Sequence, residues 1–160
     1  METVFDILRT AIDNEIKAQV FYTKASEMTE IGESQMVFLE LAEMEKGHSQ
    51  LLVERFADVF QAAGFDVEAY IGKREAETEE VLTLHENEIL SRGQLHEALQ
   101  FAIDLEARAR DAYLGLVERV PEEAKREVLK ELAAEEQMHH DMLSKALTSM
   151  DTPPEERTGM

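Results

Sequence analysis

The 160-residue chain has no cysteine and no tryptophan, only three prolines and seven glycines. Without cysteine there are no disulfides, thiol nucleophiles, zinc ribbons, haem attachment sites or thiolate-held iron–sulfur clusters. Redox compartment therefore cannot be read from thiols. Basic residues are also scarce: 16 Lys and Arg face 35 Asp and Glu, a net charge of −19. Such a surface repels phosphate backbones and anionic lipid and attracts cations, so neither nucleic acid nor membrane is an expected partner. Aromatics make up 6% of the chain, which suits helices better than a β-sandwich, while 44% hydrophobic residues is too many for a disordered chain. No apolar run is long enough to span a bilayer, and the first residues, Met1 to Asp6, lack the basic-then-apolar character of a signal peptide. A cytoplasmic protein is expected.

What is present is helical periodicity. Phe5, Leu8, Ile12, Glu15, Ile16, Gln19 and Tyr22 line one face of a helix from about Thr3 to about Met28. A second helix, starting near Gly32–Ser34, carries Phe38, Leu41, Ala42, Glu45, His48, Ser49 and Leu52 on one stripe. Ser91 is a plausible N-cap for a third, with Leu95, Leu99, Ile103, Glu106, Arg110 and Tyr113. Pro121, in a first-turn position, opens a fourth with Val128, Leu132, Glu136, His139 and Leu143. Residues 1–150 are expected to form one domain, followed by a disordered tail over 151–160 that contains Pro153 and Pro154.

The chain repeats itself. A shift of 91 positions, without gaps, lays Ala11-Ile12-Asp13 on Ala102-Ile103-Asp104, Glu15 on Glu106, Ala18 on Ala109 and Tyr22 on Tyr113. The same shift lays Leu41-Ala42 on Leu132-Ala133, Glu45 on Glu136, His48 on His139 and Leu52 on Leu143. Each half predicts a helix hairpin, and two hairpins make an all-α four-helix bundle. The stretch between them, about 61–91, is a crossover long enough to run the length of the bundle, with room for a short helix in 75–90.

The repeat also carries chemistry. Glu45 and His48, and again Glu136 and His139, are three apart and so share a helix face. Glu15 and Glu106 stand among apolar positions, flanked one turn away by Ala11 and Ala18 and by Ala102 and Ala109, which leave space. One Glu-x-x-His in so acidic a chain reads as an exposed contact. Two in register, each with its upstream Glu in register, do not. Closing the bundle brings four carboxylates and two imidazoles into an apolar core, a costly arrangement unless cations balance it. Two divalent metals cancel four carboxylates, and this donor set suits iron or manganese.

Around these six, Tyr22 and Tyr113 lie two turns beyond their Glu, either as core packing or as hydrogen-bond donors to a ligand carboxylate. Glu135, His140, His85 and His96 read as solvated surface groups, Asp13 and Asp104 as surface charge, and the eight methionines as gap-filling core.

The residues Ala11-Ile12-Asp13-Asn14-Glu15 through Phe21-Tyr22, Leu41-Ala42-Glu43-Met44-Glu45-Lys46-Gly47-His48 and Glu136-Gln137-Met138-His139 resemble the rubrerythrin branch of the ferritin-like superfamily. The resemblance covers nearly all of residues 4–148. It implies a ferritin-like bundle holding a non-haem di-iron centre on Glu15, Glu45, His48, Glu106, Glu136 and His139, reaction with hydrogen peroxide or dioxygen, and a homodimer. Two departures stand out. The cysteine-bound rubredoxin domain that feeds electrons to the centre in full-length members cannot be built without cysteine, so an external electron donor is expected. The extra glutamate that members carry three residues after the third-helix ligand is Ala109 here, which calls into question the redox-linked movement of iron between His and that Glu. The remaining symmetric site is closer to that of bacterioferritin-type proteins. The expected function is a di-iron peroxidase or oxidase. The alternatives are a ferroxidase or iron-handling protein, and a metal-binding bundle without turnover. A tRNA hydroxylase is disfavoured by the charge and the lack of a basic stripe.

Overall fold

The computed structural model describes the chain over residues 2–28, 33–89 and 95–151, with side chains placed over 2–27, 35–81 and 96–149. It contains six helices: α1 (Val4–Met28), α2 (Glu33–Arg55), α3 (Ala57–Ala62), α4 (Val67–Ile89), α5 (Leu95–Val117) and α6 (Glu123–Asp151). No strand occurs among the described residues. The expected ferritin-like all-α bundle is present: α1 pairs with α2, α5 pairs with α6, and α1 and α5 join the two hairpins along the middle. Helices α2 and α6 touch each other only sparsely, which leaves room between them.

α1 starts on a reciprocal cap. The Thr3 hydroxyl accepts from the Asp6 N–H (3.1 Å), and the Asp6 carboxylate accepts from the Thr3 N–H (3.0 Å), so two of the helix's open donors are satisfied. Pro121 stands two residues before α6 rather than in its first turn, where Glu122 supplies the first accepting carbonyl. The proposed cap Ser91 lies outside the described residues, as do residues 29–32 before α2 and the tail beyond 151.

The crossover differs from expectation. A short α3 is followed by Gly64 at φ +64°, where the Phe65 N–H bonds to the Phe60 carbonyl and the Gly64 N–H to that of Gln61. This is a Schellman ending, which needs a left-handed residue that glycine adopts without strain. Then comes α4, 23 residues long, about 34 Å at 1.5 Å per residue, in place of an extended chain with a short helix. The length was hidden because α4 packs mainly on one helix, α1. Its buried stripe is correspondingly narrow, with Val67, Tyr70, Ile71, Arg74 and Thr78 on it and Val81 already exposed.

Asp13 fastens this helix. Its carboxylate accepts from the Tyr70 hydroxyl (2.7 Å) and from Arg74 Nε (3.1 Å), and Lys24 approaches Glu79 farther along (3.8 Å). Partner numbers rise together, so α4 runs parallel to α1. Asp13 is thus a structural anchor and not surface charge. Its repeat partner Asp104, with no helix over it among the described residues, is exposed as expected.

The core is in two parts. Leu8, Ile12, Ile16, Leu52, Phe56, Tyr113, Leu116, Leu129 and Leu132 pack toward one end, and Phe21, Tyr22, Phe38, Leu41, Leu99, Ile103 and Leu143 toward the other. Between them lies the polar cluster. The methionines do not fill these cores: Met36, Met44, Met138 and Met142 are exposed on the outer faces of α2 and α6, and the other four lie where side chains are not described.

The anchor can be tested. Asp13→Ala is expected to lower unfolding free energy by about 1 kcal/mol and to speed amide exchange in α4. Asp104→Ala should change stability by less than about 0.5 kcal/mol. Urea denaturation compares the two.

Candidate metal centre

Each of the four long bundle helices contributes to one cluster: Glu15 from α1, Glu45 and His48 from α2, Glu106 from α5, Glu136 and His139 from α6. All six expected site residues meet there, and none is more than 5% exposed. They sit on the apolar stripes of their helices, so the hydrophobic packing that closes the bundle also drives the polar groups inward.

The donors form two overlapping sets. Glu15, Glu45, His48 and Glu136 offer ligand atoms within 4.8 Å of one another, and so do Glu45, Glu106, Glu136 and His139. Glu45 and Glu136 belong to both. His48 Nδ1 lies 2.8 Å from Glu136, 3.4 Å from Glu15 and 3.5 Å from Glu45. His139 Nδ1 lies 3.2 Å from Glu45, 3.6 Å from Glu106 and 3.7 Å from Glu136. The two imidazoles are nearly parallel, with centroids 6.2 Å apart.

One observation shows that a metal fits. Glu15, Glu45, Glu106 and Glu136 each have a buried Oε2 without a hydrogen-bond partner. Four such oxygens converging in an apolar core are costly unless something positive meets them. Metal–ligand bonds of about 2.0–2.2 Å place opposite donors about 4 Å apart, inside the 4.8 Å within which each set lies. Carboxylate and imidazole donors without sulfur suit iron or manganese.

The protonation pattern of the metal-free cluster follows from the same geometry. Burial, reinforced by the charges of Glu45 and Glu136, pushes Glu15 well above the ordinary carboxylate range. Burial likewise raises Glu106 to about 10, against the hydrogen bond from His139. For Glu45 and Glu136 the burial effect is outweighed, by hydrogen bonds from Glu15 and the two histidines at Glu45 and first by the two histidines at Glu136, and both are held low. Burial alone would lower the imidazoles, but the surrounding carboxylates win: His48 is strongly raised and His139 rises to about 11. Two ionised carboxylates thus face two imidazoliums while the two outer carboxyls keep their protons. The cluster neutralises itself with protons where metal would do so with cations.

Both tyrosines donate to the cluster, and they do so across the repeat. The Tyr22 hydroxyl on α1 donates to Glu106 Oε1 on α5 (2.5 Å), and Tyr113 on α5 donates to Glu15 on α1. The residue number rises on one helix as it falls on the other, so α1 and α5 are antiparallel, and Ala18 and Ala109 come nearly level between the two carboxylates. Burial, with Glu106 foremost for Tyr22 and Glu15 for Tyr113, raises both phenols well above their usual value. They keep their protons and serve as donors.

One neighbour was missed. Glu135, expected to be a solvated surface group, is half-exposed but places Oε2 2.6 Å from His48 Nε2, behind the imidazole. Its repeat position holds Met44, so self-similarity gave no signal, and only the packing of α6 against α2 reveals the contact. His140 bonds to Asp141 at the surface (3.2 Å), His96 is exposed, and the His85 side chain lies outside those described.

A four-helix bundle with two Glu-x-x-His pairs and two further glutamates around a shared pair of carboxylates defines the class of carboxylate metal bundles. The sequence profile of the rubrerythrin family matches residues 6–95 and 97–159, nearly the whole chain, and the protein belongs to that family. Neither the curated proteins nor the solved structures yield a match. No helix among the described residues is long and apolar enough to cross a membrane.

Filling both donor sets with divalent ions displaces the protons of Glu15, Glu106, His48 and His139, so about four protons should be released, measurable by titration in weak buffer. Without metal, Glu106 and His139 bind protons more tightly folded than unfolded. Their contributions to stability are full below the unfolded values of 4.5 and 6.5 and are lost as pH rises toward about 10 and about 11. Glu45 and Glu136 act oppositely, losing theirs only on acidification. The melting temperature of metal-free protein should therefore fall between pH 6 and pH 9, and the stabilisation by added metal should widen over that interval. A flat metal-free profile would contradict the protonation pattern.

Proposed function

We propose that the protein is a non-haem di-iron oxidoreductase of rubrerythrin type, reacting with hydrogen peroxide or dioxygen and drawing electrons from an external donor. The observation that carries this reading is the pair of donor sets sharing Glu45 and Glu136. Glu15 and His48 would hold one iron and Glu106 and His139 the other, with Glu45 and Glu136 available to both. Manganese fits the same donors. When bound, a ferrous pair supplies the two electrons that, with two protons, reduce peroxide to two waters.

The chain's own residues set the conditions. Tyr22 and Tyr113 hold the outer carboxylates by hydrogen bonds, which limits their swing toward other positions. The apolar clusters above and below exclude bulk water and strengthen every electrostatic contact inside. Ala18 and Ala109, one turn beyond Glu15 and Glu106, supply no further carboxylate, so α1 and α5 each turn a single glutamate to the donor sets. The homodimer belongs to this proposal through the family resemblance, and the cytoplasmic location is carried into it from the reading of the sequence.

Iron handling is the second reading, favoured by the net charge of −19, which draws cations to the surface. One experiment separates the two. Anaerobic Fe²⁺ loading should saturate at two per chain, followed by sustained peroxide consumption with a reductant present. Iron uptake far beyond two per chain favours iron handling, and saturable binding without turnover leaves a structural metal bundle. In the same assay His139→Ala should bind one metal fewer, whereas Glu45→Ala, which removes a carboxylate from both sets, should weaken both sites.

A further inference from the structure

The repeat makes the six ligand positions symmetric, but what stands behind the two histidines is not. His48 turns Nδ1 to the cluster and Nε2 outward to Glu135, at 2.6 Å. His139 also turns Nδ1 to the cluster, yet its Nε2 is buried without a hydrogen-bond partner. Helices α2 and α6 pair antiparallel, with Glu45 opposite His139 and His48 opposite Glu136. In that register the residue level with His139, as Glu135 is with His48, is Met44. It is partly exposed and has no acceptor stronger than a thioether.

We propose that the two metal positions are inequivalent, with Glu135 acting as a positioning residue for His48 alone, so that the Glu15/His48 site binds first and tighter and the Glu106/His139 site second and more weakly. The inference rests on the reading of the cluster as a metal centre. A carboxylate accepting from Nε2–H fixes the tautomer that presents the Nδ1 lone pair inward, orients the ring and makes that nitrogen a better donor. His139 has no such partner at Nε2, and only its cluster-facing Nδ1 is engaged by polar groups. Loss of such an outer partner typically costs about 10–100-fold in metal affinity, so a gap of about tenfold or more between the two sites is expected.

Both positions are solvent-accessible, so they can be exchanged without burying a charge. Metal-free protein is titrated anaerobically with Co²⁺, affinities are taken from calorimetry, and the order of filling is read from the ¹⁵N resonances of the two histidines. In the native chain His48 should shift first, with two affinities about tenfold or more apart. Glu135→Met should weaken the first step by at least tenfold, leave the second unchanged and erase the order. Met44→Glu should strengthen the second step alone, and the double exchange should make His139 shift first. Equal native affinities, or a Glu135→Met variant that weakens both steps alike, would overturn the inequivalence while leaving the metal centre standing. Absence of Co²⁺ binding in the native chain would overturn the metal centre itself, and this inference with it.

Discussion

Four carboxylates and two imidazoles enclosed in an apolar core cannot all carry their usual charges without compensation, and that constraint governs the molecule. Desolvation opposes every ionised group, while mutual repulsion opposes the carboxylates together. Without metal, the outer Glu15 and Glu106 retain protons and the shared Glu45 and Glu136 pair with imidazoliums. A bound metal would take the same donors as ligands. A cluster of this kind adds little to stability by itself, and the cost of holding it is offset by the apolar packing on either side.

The duplication explains how so few elements build so ordered a site. Each hairpin supplies half the donors, and antiparallel pairing of α1 with α5 and of α2 with α6 relates the halves by an approximate two-fold axis. Cross-bonding of the tyrosines follows directly: two turns beyond Glu15 on α1 is level with Glu106 on α5. Symmetry ends where the repeats diverged. Asp13 holds α4 while Asp104 faces solvent, and His48 has Glu135 while His139 has only Met44 at the matching level. A site assembled from two like halves therefore offers two unlike environments.

Much of this was legible before any coordinate. The stripes at three- and four-residue spacing marked α1, α2, α5 and α6, and the shift of 91 picked six donors out of a chain crowded with glutamate. Where the reading failed, the missing information was non-local. α4 is amphipathic over only a narrow stripe because it packs mainly on one helix, so its periodicity is faint. Apolar character places the methionines inside, yet Met36, Met44, Met138 and Met142 lie on outer faces. Glu135 looked like any other acidic surface residue.

Sequence by itself determined the four bundle helices, the duplicated hairpin and the six residues that converge, since helical periodicity and repeat register are properties of the chain read along its length. Tertiary structure alone decided which tyrosine serves which glutamate, that a full-length helix forms the crossover, and which histidine has a carboxylate behind it. Those outcomes depend on the register in which two helices distant in sequence come to lie side by side. That register is set by how whole faces interlock, not by any spacing within one of them.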